Sequence, residues 1–191
     1  MLPDPQPPKK PMALGVGETW MVRDDSPLIV TLRLDQQSFV RFNSERERHF
    51  PPSRNLVPAH LTMFHHLPGD HCSEIAGQLA SVAGRTGPLK LSIPSLRFLG
   101  NGVAYNVSGS ELIDVREMIA RRWSAHLTPQ DAQAFRPHVT IQNKVPADAA
   151  KALYRRLSEA FKPFDVTGTA LQLWRYRGGP WEAAGEFGFE G

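Results

Sequence analysis

The chain has 191 residues, a 41% apolar fraction, 21% charged residues and a formal charge of +3. These values suit one soluble globular domain, and no apolar run approaches the ~18 residues that a membrane-spanning helix needs. A single cysteine, Cys72, excludes an internal disulfide and any multi-cysteine metal site, and the charge is too slight for a dedicated duplex-DNA binder.

Residues 1–26 hold Pro3, Pro5, Pro7, Pro8 and Pro11, and read as a Pro-rich, disordered lead. No charged segment followed by an apolar one marks a secretory signal, so a cytoplasmic location is expected. The β-branched stretch 27–35 predicts a first strand. Residues 36–50 have helical spacing through Phe39, Phe42 and Arg46 and stop at Pro51-Pro52, with "SERERH" (44–49) read as a solvated face. Residues 56–67 predict a strand ended by Pro68-Gly69. Ile75, Leu79 and Val82 give one helix over 71–84. Residues 89–100 predict a strand bent at Pro94, Asn101-Gly102 a hairpin, and 103–109 the returning strand.

The order then restarts. A helix is predicted over 110–127, with Ser110 as N-cap, then a strand over 135–145, a helix over 146–161, a strand over 164–179 and a short edge after it. Each half therefore reads strand, helix, strand, helix, strand. Lobe 1 covers about 27–102 and lobe 2 about 103–179, within one domain over 27–191.

The middle strand of each half carries the same short pattern. "HLTM" begins at His60 and "HVTI" at His138, 78 positions apart. Strict alternation puts His60, Thr62, Phe64 and His66 on one face, with Leu61, Met63, His65 and Leu67 on the other. It likewise groups His138, Thr140, Gln142 and Lys144, with Arg136 two residues upstream on that face. Two imidazoles near pH 7 can serve as base and acid for displacement at phosphorus, and the Thr hydroxyls can donate to non-bridging oxygens. Arg136, Lys144, His66 and Phe64 are candidate substrate contacts, Phe64 as a surface on which a base stacks. His60, His65, His66 and His71 match no zinc spacing, and alternation turns His65 away from His60 and His66, so no metal and no cofactor is expected.

The two His-x-Thr motifs, "HLTM" at 60–63 and "RPHVTIQNKV" at 136–145, resemble the 2H phosphoesterase superfamily, most closely its 2′-5′ RNA ligase-like branch. The likeness spans about residues 27–177. It implies an α+β, bilobal, duplicated fold: two antiparallel-rich sheets with outer helices around a central cleft. It implies His60 and His138 as catalytic groups and Thr62 and Thr140 as phosphate-binding groups. The substrate it implies is RNA or a nucleotide with a 2′,3′-cyclic phosphate, either hydrolysed or joined through a 2′-5′ bond. The chain departs from the pattern after the first motif, where it reads "FHHLPGD". A non-catalytic nucleotide-phosphate binding module is the rival reading. A monomer is expected, and no membrane partner.

Overall fold

The computed structural model describes residues 24–191, so the Pro-rich lead lies outside the described residues except for its last three. Asp24, one of those three, pairs with Arg175 Nη1 at 3.0 Å and with Arg177 Nη2 at 2.8 Å.

Eight strands and four helices follow. The strands are β1 (Leu28–Leu34), β2 (Leu61–Leu67), β3 (Leu89–Ile93), β4 (Leu96–Phe98), β5 (Val103–Asn106), β6 (His138–Gln142), β7 (Phe164–Arg175) and β8 (Glu182–Gly188). The helices are α1 (Gln36–His49), α2 (Cys72–Ala83), α3 (Ser110–Arg122) and α4 (Ala147–Ala160). Every strand pair is antiparallel. No helix among the described residues is long and apolar enough to cross a membrane.

The expected α+β architecture is present, with the two halves of the sheet fused. The strand order is β3-β7-β1-β2-β6-β5-β4, and one residue pair, Leu61↔Val139, joins β2 to β6 and makes the sheet continuous. Two strands exchange halves relative to the sequence order. β7, expected to end lobe 2, hydrogen-bonds to β1 and β3, while β4, expected within lobe 1, pairs with β5. The break at Pro94-Ser95 makes the second exchange possible, since a proline has no N–H to carry one ladder onward. β7 is long enough to hold β1 along one edge and both β3 and β8 along the other.

The helices bury one face of this sheet. Phe42, Ile75, Leu79, Leu112, Ile119 and Leu153 meet the inward strand residues Leu28, Val30, Leu32, Leu61, Met63, Val139 and Ile141 in one apolar core. At about 25 cal/mol per Å² of apolar area, a core of this kind is the main favourable term of folding. Local ends differ from the sequence expectation in small ways. Gly109, not Ser110, is the N-cap of α3, without a side-chain cap bond. The β4–β5 hairpin forms as expected, but its positive φ falls on Gly100 (81°). Gly102 serves a different need: a Cβ there would lie 2.0 Å from the Gln142 carbonyl oxygen of β6.

Candidate active site

The single β2–β6 pair sets the geometry of the site. Leu61 and Val139 are fully buried on the helix side. Their neighbours His60, Thr62, His138 and Thr140 therefore project from the opposite, open face. Antiparallel pairing of Leu61 with Val139 also places His60 beside Thr140 and Thr62 beside His138 across the junction. Facing residues in such a pair have Cβ atoms about 5 Å apart. The four candidate groups thus form a compact rectangle about a pseudo-two-fold axis, and each Thr sits next to the other motif's histidine.

The two rings are held alike. His60 Nδ1 lies 2.7 Å from the Pro58 carbonyl oxygen, and His138 Nδ1 lies 2.9 Å from that of Arg136. Each partner is two residues upstream. A carbonyl only accepts, so each Nδ1 carries the proton and each Nε2 is left as the free, basic nitrogen. Burial is the main reason both imidazoles are harder to protonate than usual: His60 is pushed down to about 4, and His138 is lowered as well. The bonds to Pro58 and Arg136 oppose this; Arg46 adds to it at His60, Arg97 at His138, and His65 at both.

Each motif strand has a β-bulge at the same step after its Thr. On β2 the register passes from Thr31↔Thr62 to Val30↔Phe64; on β6 it passes from Ala104↔Thr140 to Val103↔Gln142. The bulge adds one residue and ends strict alternation, so several sequence-based placements change. Phe64 is not on the open face: it is 0% exposed, with the Arg116 guanidinium 3.7 Å above its ring. It offers no surface to a base. Gln142 is likewise buried, at 7% exposure. A second irregularity, between Leu28↔Leu67 and Val30↔Phe64, leaves His65 and His66 both exposed, so His65 does not turn inward as expected. Lys144 lies past the end of β6 with φ 60°, exposed at a bend and not on the strand face. Arg136 is exposed; its carbonyl, not its side chain, touches His138.

Beyond the junction β2 and β6 diverge, and buried arginines occupy the freed edges. Arg46 of α1 is 4% exposed, so reading all of "SERERH" as a solvated face was incorrect at this residue. Its Nη1 donates to the Thr140 carbonyl at 2.8 Å, and its Nε donates to Asn55 Oδ1 at 2.8 Å and the Val57 carbonyl at 3.2 Å. Asn43, one turn earlier, accepts from the Ala59 N–H. Helix α1 thereby holds both the segment entering His60 and the strand carrying Thr140. Arg116 of α3 mirrors it: 6% exposed, it donates from Nε to the Met63 carbonyl at 2.7 Å and from Nη2 to the Asp131 carbonyl at 2.5 Å. The Asp131 carboxylate in turn accepts from the N–H groups of His65 and His66 and from His65 Nδ1. These bonds lower the Asp131 pKa against the opposing effect of burial, which is the largest single influence.

Three site neighbours were absent from the sequence reading. Trp181, between β7 and β8, lies with its ring centroid 4.6 Å from that of His60. Trp174 of β7 is 6.2 Å from Trp181 and donates its indole N–H to Thr31 Oγ1. Arg97 of β4 donates from Nη1 to the Arg136 carbonyl, 3.3 Å from His138 Nδ1 as well. Arg97 and the tryptophans are distant in sequence from the motifs they flank, and only the exchange of β4 and β7 between halves brings them there. Among the described residues no group of three or more His, Cys, Asp or Glu is arranged to hold a metal.

An eight-stranded antiparallel sheet with two His-Thr pairs facing across a pseudo-two-fold junction defines a duplicated, two-histidine fold. The profile of the 2′-5′ RNA ligase superfamily matches residues 32–180, and the chain belongs to that superfamily. Solved structures share the fold. The Thermus thermophilus protein TT0787 superposes with a TM-score of 0.63 at 14% identity, covering 86% of this chain and 98% of that one. Escherichia coli LigT complexed with NADP+ gives 0.57 at 15% identity, covering 88% and 100%. LigT complexed with 3′-AMP gives 0.54 at 16% identity, covering 88% and 100%. No curated protein matches the chain.

Proposed function

We propose that the chain is a phosphoesterase that opens 2′,3′-cyclic phosphates at RNA or nucleotide ends, with His60 and His138 as acid–base pair and Thr62 and Thr140 as phosphate ligands. The observation that carries the reading is the pair of equivalent rings, each with Nδ1–H tied to the carbonyl two residues upstream and Nε2 left free. One free Nε2 takes the proton of the attacking water. The P–O bond to one ring oxygen breaks as the new P–O bond forms, and the second imidazole, protonated once the phosphate is bound, gives its proton to the leaving oxygen. The two Thr hydroxyls donate to the non-bridging oxygens, and nothing in this scheme calls for a metal. Since burial holds both free rings neutral at pH 7, the acid gains its proton as the phosphate anion arrives, because an adjacent anion favours the imidazolium. The working assignment makes His138 the base and His60 the acid; reversal of the reaction exchanges them. Superfamily membership and the structural kinship with LigT, which has been seen with 3′-AMP, support a nucleotide-type ligand.

The test is turnover of a 2′,3′-cyclic mononucleotide with EDTA present. Release of a phosphomonoester is expected. Activity lost to EDTA and restored by zinc would overturn the scheme. Binding without turnover would point to a non-catalytic phosphate-binding module, and a 2′-5′-linked product from RNA ends would point to joining.

A further inference from the structure

A cavity of about 450 Å³ opens beside His60. Its lining includes neither His138, Thr62 nor Thr140, so it lies to one side of the candidate catalytic rectangle. It is far larger than one phosphate requires and falls within the range of small-molecule sites. Its floor is Thr31, Gln172 and Trp174; the β1–β7 register sets Thr31 opposite Gln172. Trp181 stands over it, in ring contact with both His60 and Trp174.

The hydrogen bonds of this floor are closed among themselves. Trp174 Nε1 donates to Thr31 Oγ1, and the Thr31 hydroxyl donates to Gln172 Oε1 at 3.2 Å. Gln172 Nε2 donates to Glu186 Oε2 at 2.9 Å, while Glu186 Oε1 is paired with Arg33 Nη1. The middle of the cavity presents ring faces and apolar surface, and its edge keeps donors: the second Gln172 amide hydrogen and the remaining N–H groups of Arg33. The rim holds one carboxylate with an accepting lone pair left on each oxygen. Arg33 is neutralised by Glu186, so the cavity has no unpaired cation with which to hold a second phosphate.

A flat ring with donors and acceptors on its edge satisfies this surface. We propose that the cavity is a nucleobase subsite, with the base stacked on Trp181, its N–H edge toward Glu186, and its ribose leading to the phosphate at His60. The inference rests on the phosphoesterase reading for what lies at the phosphate. The base is read by stacking, which is worth enough to change affinity by about tenfold or more and is tolerant of base identity.

Equilibrium dissociation constants for 3′-AMP and for inorganic phosphate, measured on the full chain, test this. Trp181→Ala is expected to weaken 3′-AMP by about tenfold or more and to leave inorganic phosphate unchanged, and Trp181→Phe to recover most of the loss. With 2′,3′-cyclic AMP as substrate, KM should rise with kcat nearly constant. Equal weakening of both ligands, a fall in kcat alone, or wild-type affinity for 3′-AMP in Trp181→Ala would each overturn the subsite and leave Trp181 as a support for the His60 ring. If the wild-type chain turns over no cyclic phosphate, the phosphoesterase reading fails, and the ratio of the two dissociation constants still decides the subsite.

Discussion

Replacing Arg46 by Met keeps most of the aliphatic stem and removes the guanidinium. Three acceptors then lose their donor: Asn55 Oδ1, the Val57 carbonyl and the Thr140 carbonyl. The first two lie on a partly exposed loop, where water can replace the arginine. The Thr140 carbonyl is held by a guanidinium that is only 4% exposed, and a buried acceptor left unsatisfied costs about 1–3 kcal/mol. The guanidinium also stacks 4.0 Å from the Phe50 ring centroid, a contact worth about 0.5–2 kcal/mol. Against this, a desolvated cation is no longer buried, a cost visible in the lowered pKa of Arg46, about 10. The two losses total about 1.5–5 kcal/mol and the relief of desolvation offsets part of them, so the expected reading is a lower urea midpoint with unchanged slope. Because Val57 is three residues before His60, and Thr140 is itself a candidate phosphate ligand, activity on a cyclic phosphate should fall even where the variant is fully folded. Arg46→Lys should rescue charge but not the fork of bonds, and so recover little. A variant within about 0.5 kcal/mol of wild type, with full activity, would refute the role given to this side chain.

Alanine at His60 or at His138 should each cost roughly 10²-fold or more in kcat with the fold intact, and the double variant should be little worse than either; steady-state kinetics with circular dichroism decide, and near-full activity in either single variant refutes the shared site. Stability should fall as pH drops from about 6.5 toward 4, because His60 takes up its proton near 4 when folded and near 6.5 when unfolded, so the unfolded chain binds more protons in that window. The His60 contribution is at most about 3 kcal/mol, and His60→Gln should flatten that part of a urea-stability profile. Since both free rings are neutral at pH 7, kcat/KM for a cyclic mononucleotide should be higher at pH 6 than at pH 8, and an optimum above pH 8 would refute the assignment. Lys144→Ala should weaken a short cyclic-ended RNA more than a cyclic mononucleotide, with the difference fading at high salt; equal, salt-independent losses would assign Lys144 to the fold.

The periodicity of the sequence was enough to locate all four helices and most strands, because Ile75/Leu79/Val82 and Leu112/Val115/Ile119 are plain core stripes. The repeated His-x-Thr pattern was equally plain, and the structure sets the two pairs side by side. Two kinds of feature were not legible. Strand exchange was one: "PSLRFLG" and "TALQLWRY" look like ordinary closing strands of their own halves, and only long-range pairing decides otherwise. Irregularity within strands was the other. Alternation assigned Phe64 to the cleft and His65 to the core, whereas one inserted residue reverses both. Arg46 could have been suspected, since it follows Phe42 by four residues on the same helix stripe; a guanidinium there must find acceptors, and "SERERH" as a whole concealed it.

The two arginine braces run crosswise. Arg46 and Thr140 are 94 residues apart in the chain, and Arg116 and Met63 are 53 apart. Each bond closes a long loop whose entropy is lost before the contact forms. A chain interrupted before residue 140 therefore has His60 and Thr62 in place along the sequence but lacks the carbonyl that α1 grips and the strand that β2 meets. Half of this protein would not make half of a site: the four side chains become a cleft together or not at all.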